Sequence, residues 1–268
     1  MIVYKYVHPR NTAVLKEGLI RFSQSAVLND PFETTPNMER LKESFMDYAM
    51  RMINTATSRS SIEYVAAQYT ARSMVKKHLE EFQKDKTRRY AVLSLSRINN
   101  NLLMWAHYCD SHRGFVIGFD SENAFFQTMR FNAFSVLAEV HYSDQRPVMP
   151  APARWDGSPE QLVEAIGEED LAELFFYTKS SDWAYEEEMR MIANPEIADR
   201  LGAGADGENI YLYRFPPECV REVILGIRVD RAERDQIVSV VREKYDQAKL
   251  FQAKLNPERF NLDIEALD

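Results

Sequence analysis

Tyr90-Ala91-Val92-Leu93-Ser94-Leu95-Ser96 and, after a break at Asn101 to Cys109, Phe115-Val116-Ile117-Gly118-Phe119 decide how the chain folds. The first run alternates, with Leu93 and Leu95 on one strand face and Ser94 and Ser96 on the other. The second is a short apolar run, read as a neighbouring strand, with a helix over Asn101 to Cys109 between them. Upstream, Ile2 to Tyr6 alternates and breaks at Pro9, a short helix around Asn11 to Glu17 ends at Gly18, and Leu19 to Ser23 is a second strand. Downstream, strands are expected near Ala133 to Tyr142, Tyr185 to Ile192, Ile210 to Phe215, Glu222 to Ile227 and Lys249 to Leu255. Helices are expected at Ser158 to Thr178 and Arg231 to Tyr245. Strands and helices do not alternate regularly, which predicts an α+β fold on mixed, mostly antiparallel sheets rather than a doubly wound parallel sheet.

Between the second strand and Tyr90 the pattern changes. Leu28-Asn29-Asp30-Pro31-Phe32-Glu33 is dense in turn formers, and Pro31 forbids a helix through Asp30, so this is a fixed loop whose polar side chains cap backbone groups. Residues 37–89 then space apolar side chains as helices do, at Met38, Leu41, Phe45, Tyr48 and Met52 and again at Ile62, Val65, Tyr69 and Met74. We expect a single α+β domain over 1–268, with a lobe of two or three helices inserted at about 37–89.

Composition narrows the classes. The 268 residues include 33 Lys plus Arg against 41 Asp plus Glu, a net charge of −8, which gives no general attraction to nucleic acid or anionic lipid. Two cysteines, Cys109 and Cys219, make no disulfide framework. The start MIVYKYVHPR has no apolar core after a basic segment, and no window approaches the ~18 apolar residues of a membrane span. The expectation is a cytoplasmic protein with no membrane partner.

Two motif matches fail on context. Gly202-Ala203-Gly204-Ala205-Asp206-Gly207 matches a dinucleotide fingerprint but follows no apolar strand, precedes an extended Ile210-Tyr211-Leu212-Tyr213, and puts Asp206 where phosphate would lie; it reads as a flexible loop. His107-Tyr108-Cys109-Asp110-Ser111-His112 gathers metal-binding residue types at no standard spacing, so His107 is read as packing at a helix end and His112 as solvated in the turn before Gly114.

The strongest chemical signal is Trp183-Ala184-Tyr185-Glu186-Glu187-Glu188-Met189-Arg190-Met191-Ile192. On a strand, Glu186, Glu188 and Arg190 share one face, the carboxylates about 7 Å apart by twice the strand rise. Such a pair, its repulsion offset by a cation, binds ribose hydroxyls or stabilises a cationic transition state; equally, three glutamates in a row form a solvated face. Ser94 and Ser96 either have buried partners or form the wet side of an edge strand. Met104, His107 and Tyr108 share a helix face, usually a core stripe.

Together, Tyr4-Lys5-Tyr6, Leu28-Asn29-Asp30-Pro31-Phe32-Glu33, Ser94-Leu95-Ser96, Met104-Trp105-Ala106-His107-Tyr108, Gly114-Phe115-Val116-Ile117-Gly118-Phe119 and Trp183-x-Tyr185-Glu186-x-Glu188-x-Arg190 resemble a bacterial family catalogued as domain of unknown function 2971. The resemblance implies a prokaryotic defence context, of the antiphage or abortive-infection kind. A deeper likeness is to ADP-ribosyltransferase folds, whose early cation, middle hydroxyl and late Glu-x-Glu correspond in order to Lys5, Ser94 and Glu186 with Glu188. Lys5 stands where that family has His or Arg, and Arg21 is the alternative early cation.

That likeness implies NAD as substrate and either ADP-ribose transfer or NAD hydrolysis. Glu188 would stabilise an oxocarbenium ion as nicotinamide departs, and Glu186 would orient the acceptor, a protein or nucleic acid. Lys5, Tyr4, Ser94, Ser96 and His107 would contact NAD. Asn29, Asp30, Trp105, Trp183 and Arg190 would bind substrate or form a structural polar network. No resident metal is expected.

Two alternatives stand beside it. One is a non-catalytic sensor or interaction module of a defence system, its 37–89 helices docking a regulatory or oligomeric partner. The other is a metal-dependent nuclease using Asp30, Glu33, Glu186 and Glu188, which requires those carboxylates to converge.

Overall fold

A computed structural model of the chain describes residues 1–56, 62–127, 136–150, 161, 164, 166–204 and 209–267. They form two compact units: Met1–Ser23, Ala91–Val140 and Asp182–Asp268 make the first, and Gln24–Tyr90 and His141–Ser181 the second.

The first unit is built on strands from both ends of the chain. They are β1 (Ile2–Val7), β2 (Leu19–Phe22), β3 (Ala91–Ser96), β4 (Phe115–Asp120) and β5 (Ala138–Glu139), with β6 and β7 falling in the second unit at His141–Ser143 and Thr178–Ser180. They continue as β8 (Glu188–Ala193), β9 (Arg200–Ala203), β10 (Asn209–Arg214), β11 (Val220–Leu225), β12 (Lys249–Leu255) and β13 (Leu262–Ala266). Eight of them form one sheet in the order β13-β12-β11-β4-β1-β3-β8-β5. Every pairing in it is antiparallel except β11 with β12, which are joined by the helix Arg231–Lys244. The α+β, largely antiparallel reading therefore stands.

Alternation explains why the sheet has two covered faces. Val3, Val7, Leu93, Leu95, Met189 and Met191 pack into one core, while Tyr6, Trp105, Val116 and Ile224 pack into another. Trp105 is fully buried; its indole N–H donates to the Asn99 carbonyl at 2.8 Å and Tyr6 meets it edge-on at 5.6 Å. A smaller sheet, β2-β10-β9, is linked to β3 where Ser23 and Val92 exchange two 2.8 Å backbone bonds.

The second unit contains the helices Glu39–Ala56 and Ile62–Arg88 together with the parallel pair β6-β7. It takes in residues 141–181 as well, a wider extent than the insertion read from periodicity.

Several sequence expectations are corrected. Gly202 is part of β9, paired with Ile210, not a loop residue; no helix follows, as the dinucleotide fold would need, and 205–208 lie outside the described residues. The expected helix from Ser158 ends at Tyr177 in a widened turn, with Thr178 already in β7, and much of its first half lies outside the described residues. The expected strand from Ala133 reduces among the described residues to Ala138–Glu139 and His141–Ser143. The alternating Leu262, Ile264 and Ala266 form β13, which the sequence reading omits.

Backbone crowding fixes one corner of the sheet. The Gly114 amide donates to the Cys109 carbonyl at 2.8 Å and its own carbonyl accepts from Gly226 at 2.9 Å, so a Cβ at Gly114 would run into the Val7 carbonyl oxygen. Gly114→Ala is expected to cost about 2–3 kcal/mol through overpacking, read as a lower urea midpoint. Gly202→Ala, where the nearest atom to a new Cβ is at 3.6 Å, is the matched control and should show little of that loss.

Candidate functional site

The Trp183–Ile192 segment does not enter its strand as one alternating run. Ser181–Glu186 is a 3-10 turn, Glu187 takes a left-handed backbone (φ 42°), and β8 begins only at Glu188. The expectation that Glu186, Glu188 and Arg190 share a strand face is therefore corrected: only Glu188 and Arg190 do. Glu187 stays partly exposed and its carbonyl accepts from the Arg97 amide at 3.0 Å.

Glu186 is nonetheless buried. Its Oε1 accepts from the Tyr108 hydroxyl at 2.5 Å, and its carbonyl accepts from the Ser96 hydroxyl at 2.6 Å. Ser96 Oγ in turn accepts from the Ile98 amide. Asn101 ties the same turn to a helix: its Oδ1 caps Leu102–Tyr108 by accepting from Leu103 and Met104, and its Nδ2 donates to the Tyr185 carbonyl at 2.9 Å. The cap orients Tyr108, one helix length on, toward Glu186.

Glu188 is held by its own strand neighbour. Arg190 Nε lies 2.6 Å from Oε1 and Nη2 3.0 Å from Oε2, a two-pronged pair with side chains 1% and 3% exposed. Across the ladder Ser96 opposes Glu188 and Ser94 opposes Arg190. Lys5 reaches this region where β1 and β3 keep a single paired position, Tyr4 with Ser96. There its ammonium donates to the Ser94 carbonyl at 2.9 Å. Desolvation lowers Lys5 to about 8, opposed by Glu188 and then Glu186 and aided by Arg21. Lys5 as a whole is half-buried, and burial is the largest cause of the shift.

The structure thus brings together Lys5, Ser94, Ser96, Glu186, Glu188 and Arg190. Ser94 takes part through its carbonyl. Tyr4 belongs elsewhere: its hydroxyl interacts with Glu222 and Asn99, and burial pushes it up to about 12. His107 is exposed, its ring 6.5 Å from that of Tyr108 in an edge-on arrangement, so it is not packed at the helix end and stands apart from the cluster. Trp105 is core, and Trp183 packs against Tyr185 with ring centres 6.1 Å apart.

His112, expected in solvent, is half-buried. It has a left-handed backbone and its ring stacks on Trp105 at 6.2 Å. Asn29 and Asp30 belong to the second unit, Asn29 exposed and Asp30 buried. Two network members escape the sequence reading, Tyr108 and Asn101; an Asn directly before a helical run was the available signal for the second. No group of three His, Cys, Asp or Glu side chains suited to a metal occurs among the described residues.

These observations define an α+β protein with a buried, charge-paired polar cluster between strands of its main sheet. Residues 104–191 match the model of the family described as protein of unknown function (DUF2971), which supports the family assignment read from the motifs. The match runs from the helix bearing Trp105 to the middle of β8, so it includes Tyr108, Glu186, Glu188 and Arg190 and excludes Lys5 and Ser94. No curated protein and no solved structure matches the chain. No helix among the described residues is long and apolar enough to cross a membrane.

The lowered Lys5 gives a signed pH dependence. Between about 8 and its ordinary 10.5 the unfolded chain holds this proton and the folded chain does not, so stability rises with pH through that window. Cys109, Cys219 and Tyr245, each pushed up to about 12 by burial, pull the other way at alkaline pH. Comparison with Lys5→Met isolates the lysine. Wild type should gain on the variant by up to about 1.4 kcal/mol per pH unit in that window, measured by urea unfolding; a constant difference would contradict a desolvated ammonium.

Proposed function

We propose that the Glu186, Glu188, Arg190 and Lys5 cluster locks the fold, and that the chain is a non-catalytic binding or interaction module, in the defence context implied by the family resemblance. The observation that carries this reading is the state of Glu188. Both its oxygens are engaged by Arg190 and the pair is buried. A carboxylate that stabilises an oxocarbenium ion must face substrate with an oxygen to spare. Glu186, buried and bonded to Tyr108, is in a similar position. Removing one partner of a buried pair leaves an uncompensated charge, which is a structural cost wherever it occurs.

A second reading keeps NAD as substrate and assigns ADP-ribose transfer or NAD hydrolysis, with the acceptor a protein, a nucleic acid or water. It is favoured by one specific observation. Lys5, the Ser94–Ser96 segment and Glu188 come from three separate strands and meet in one network. In the hydrolytic form, water bonds to C1′ of the nicotinamide ribose, the C1′–N bond breaks, nicotinamide leaves as a neutral molecule with the bonding electrons, and the proton lost by the water passes to solvent. Glu188 would have to release Arg190 first.

One experiment separates the two. Nicotinamide release from NAD is measured with wild type, Glu188→Gln and Glu186→Gln, alongside unfolding of each. The lock predicts no release by wild type and a loss of about 3–5 kcal/mol in Glu188→Gln, partly recovered when Glu188→Met and Arg190→Met are combined. Release by wild type that disappears in a folded Glu188→Gln would overturn the lock and establish the enzyme.

A further inference from the structure

The first unit carries a pocket of about 570 Å³ where the end of a short helix, Ala13–Glu17, meets the end of the helix Arg231–Lys244. Every lining residue belongs to the first unit, and the charged ones are Lys16, Glu17, Asp199, Arg214, Glu218 and Lys244. The short helix explains how two of the cations are placed. A helix leaves its last carbonyls without backbone donors, and here side chains from elsewhere in the chain supply them. The Tyr245 hydroxyl donates to the Leu15 carbonyl at 2.7 Å, the Lys244 ammonium to the Lys16 carbonyl at 2.5 Å, and Arg214 Nη1 to the Glu17 carbonyl at 3.0 Å.

The caps fix two positive heads at successive residues of one helix end. Neither Lys244 nor Arg214 forms an ion pair among the described residues, and Lys16 adds a third cation that forms none. The acids of the lining do not neutralise them. Glu17 is paired with Arg200, which lies outside the lining. Asp199 Oδ2 accepts from the Arg214 backbone amide at 2.8 Å rather than from its guanidinium. Glu218 is exposed and forms no ion pair among the described residues. With Glu17 matched elsewhere, the lining is net positive. Like charges held together repel, and an anion bound between them relieves that repulsion.

We propose that this pocket binds a small organic phosphate monoester, its phosphate bridging the Lys244 ammonium and the Arg214 guanidinium. Each head uses one N–H on the helix end and keeps others to donate, and both side chains are exposed, so a ligand reaches them. A phosphate monoester brings about two negative charges at neutral pH and several acceptor oxygens, enough for both heads and for Lys16. A monocarboxylate brings less charge, and a cation would meet the two heads directly. Phe125, Phe215, Pro216 and Pro217 give the same lining an apolar wall for the organic group. The volume falls within the range of small-ligand pockets. The inference does not depend on whether Glu186 and Glu188 are catalytic.

The test is titration calorimetry of the full chain with phenyl phosphate and, as a probe lacking the phosphate, benzyl alcohol. Wild type should bind phenyl phosphate, more weakly as sodium chloride is raised, and should not bind benzyl alcohol. Lys244→Gln and Arg214→Gln, both at exposed positions, should each weaken binding about tenfold, as loss of a charge-assisted hydrogen bond does. Glu218→Gln removes a lining carboxylate and leaves the helix caps untouched, so it should strengthen binding severalfold. Absence of phenyl phosphate binding to folded wild type, equal binding of benzyl alcohol, unchanged affinity in either cation variant, or binding by Glu218→Gln no tighter than wild type would overturn the proposal. None of these readouts involves NAD.

Discussion

A carboxylate and a guanidinium two residues apart on one strand are the constraint around which the first unit is organised. Moving either ion out of water costs several kcal/mol, and only close, well-aligned pairing offsets it. Glu188 and Arg190 meet that condition because strand geometry puts them on the same side of β8 and the planar fork matches both oxygens. Neighbouring groups have to respect this pair. Lys5 arrives as a further cation and Glu186 as a further anion, so the four charges sum to zero.

The pairing also explains where the sheet is weakest in backbone terms. β1 and β4 share six paired positions, and so do β3 and β8, yet β1 and β3 share one. The Lys5 ammonium donates to the Ser94 carbonyl there. A long side chain from β1 therefore bonds to the β3 backbone at the seam between two well-formed ribbons. That bond is charged and desolvated, so it depends on the Glu188 and Glu186 fields that keep an ammonium tolerable there.

Much of this architecture was legible in the residues. Period-two alternation at Ile2–Tyr6 and Ala91–Ser96 placed strands correctly because each buries apolar side chains on a defined face. Glycine at position 18 marked a helix end, and its φ of 63° is the reason. The entry to β8 was not legible. Glu187 adopts a left-handed backbone with neither Gly nor Asn to announce it, so Tyr185 to Ile192 reads as one strand. The burial of Glu186 was hidden for a different reason: its partner Tyr108 lies 78 residues away, and a run of three glutamates says solvent until that partner is known. At the candidate site the sequence thus identified most of the charged residues and misjudged their environment.

The motif Leu28 to Glu33 shows on a small scale how differently two buried acids are satisfied. Glu33 and Asp30 stand three residues apart, both nearly fully buried and both acidic. Glu33 faces Lys179, and the pair neutralises itself as Glu188 and Arg190 do. Asp30 spends one oxygen on the Phe32 amide and keeps the other unmatched. Burial alone therefore does not mark a functional carboxylate in this chain. Its acids at β8 are buried because their partners are already present, whereas Asp30 is buried with half of its bonding capacity still open.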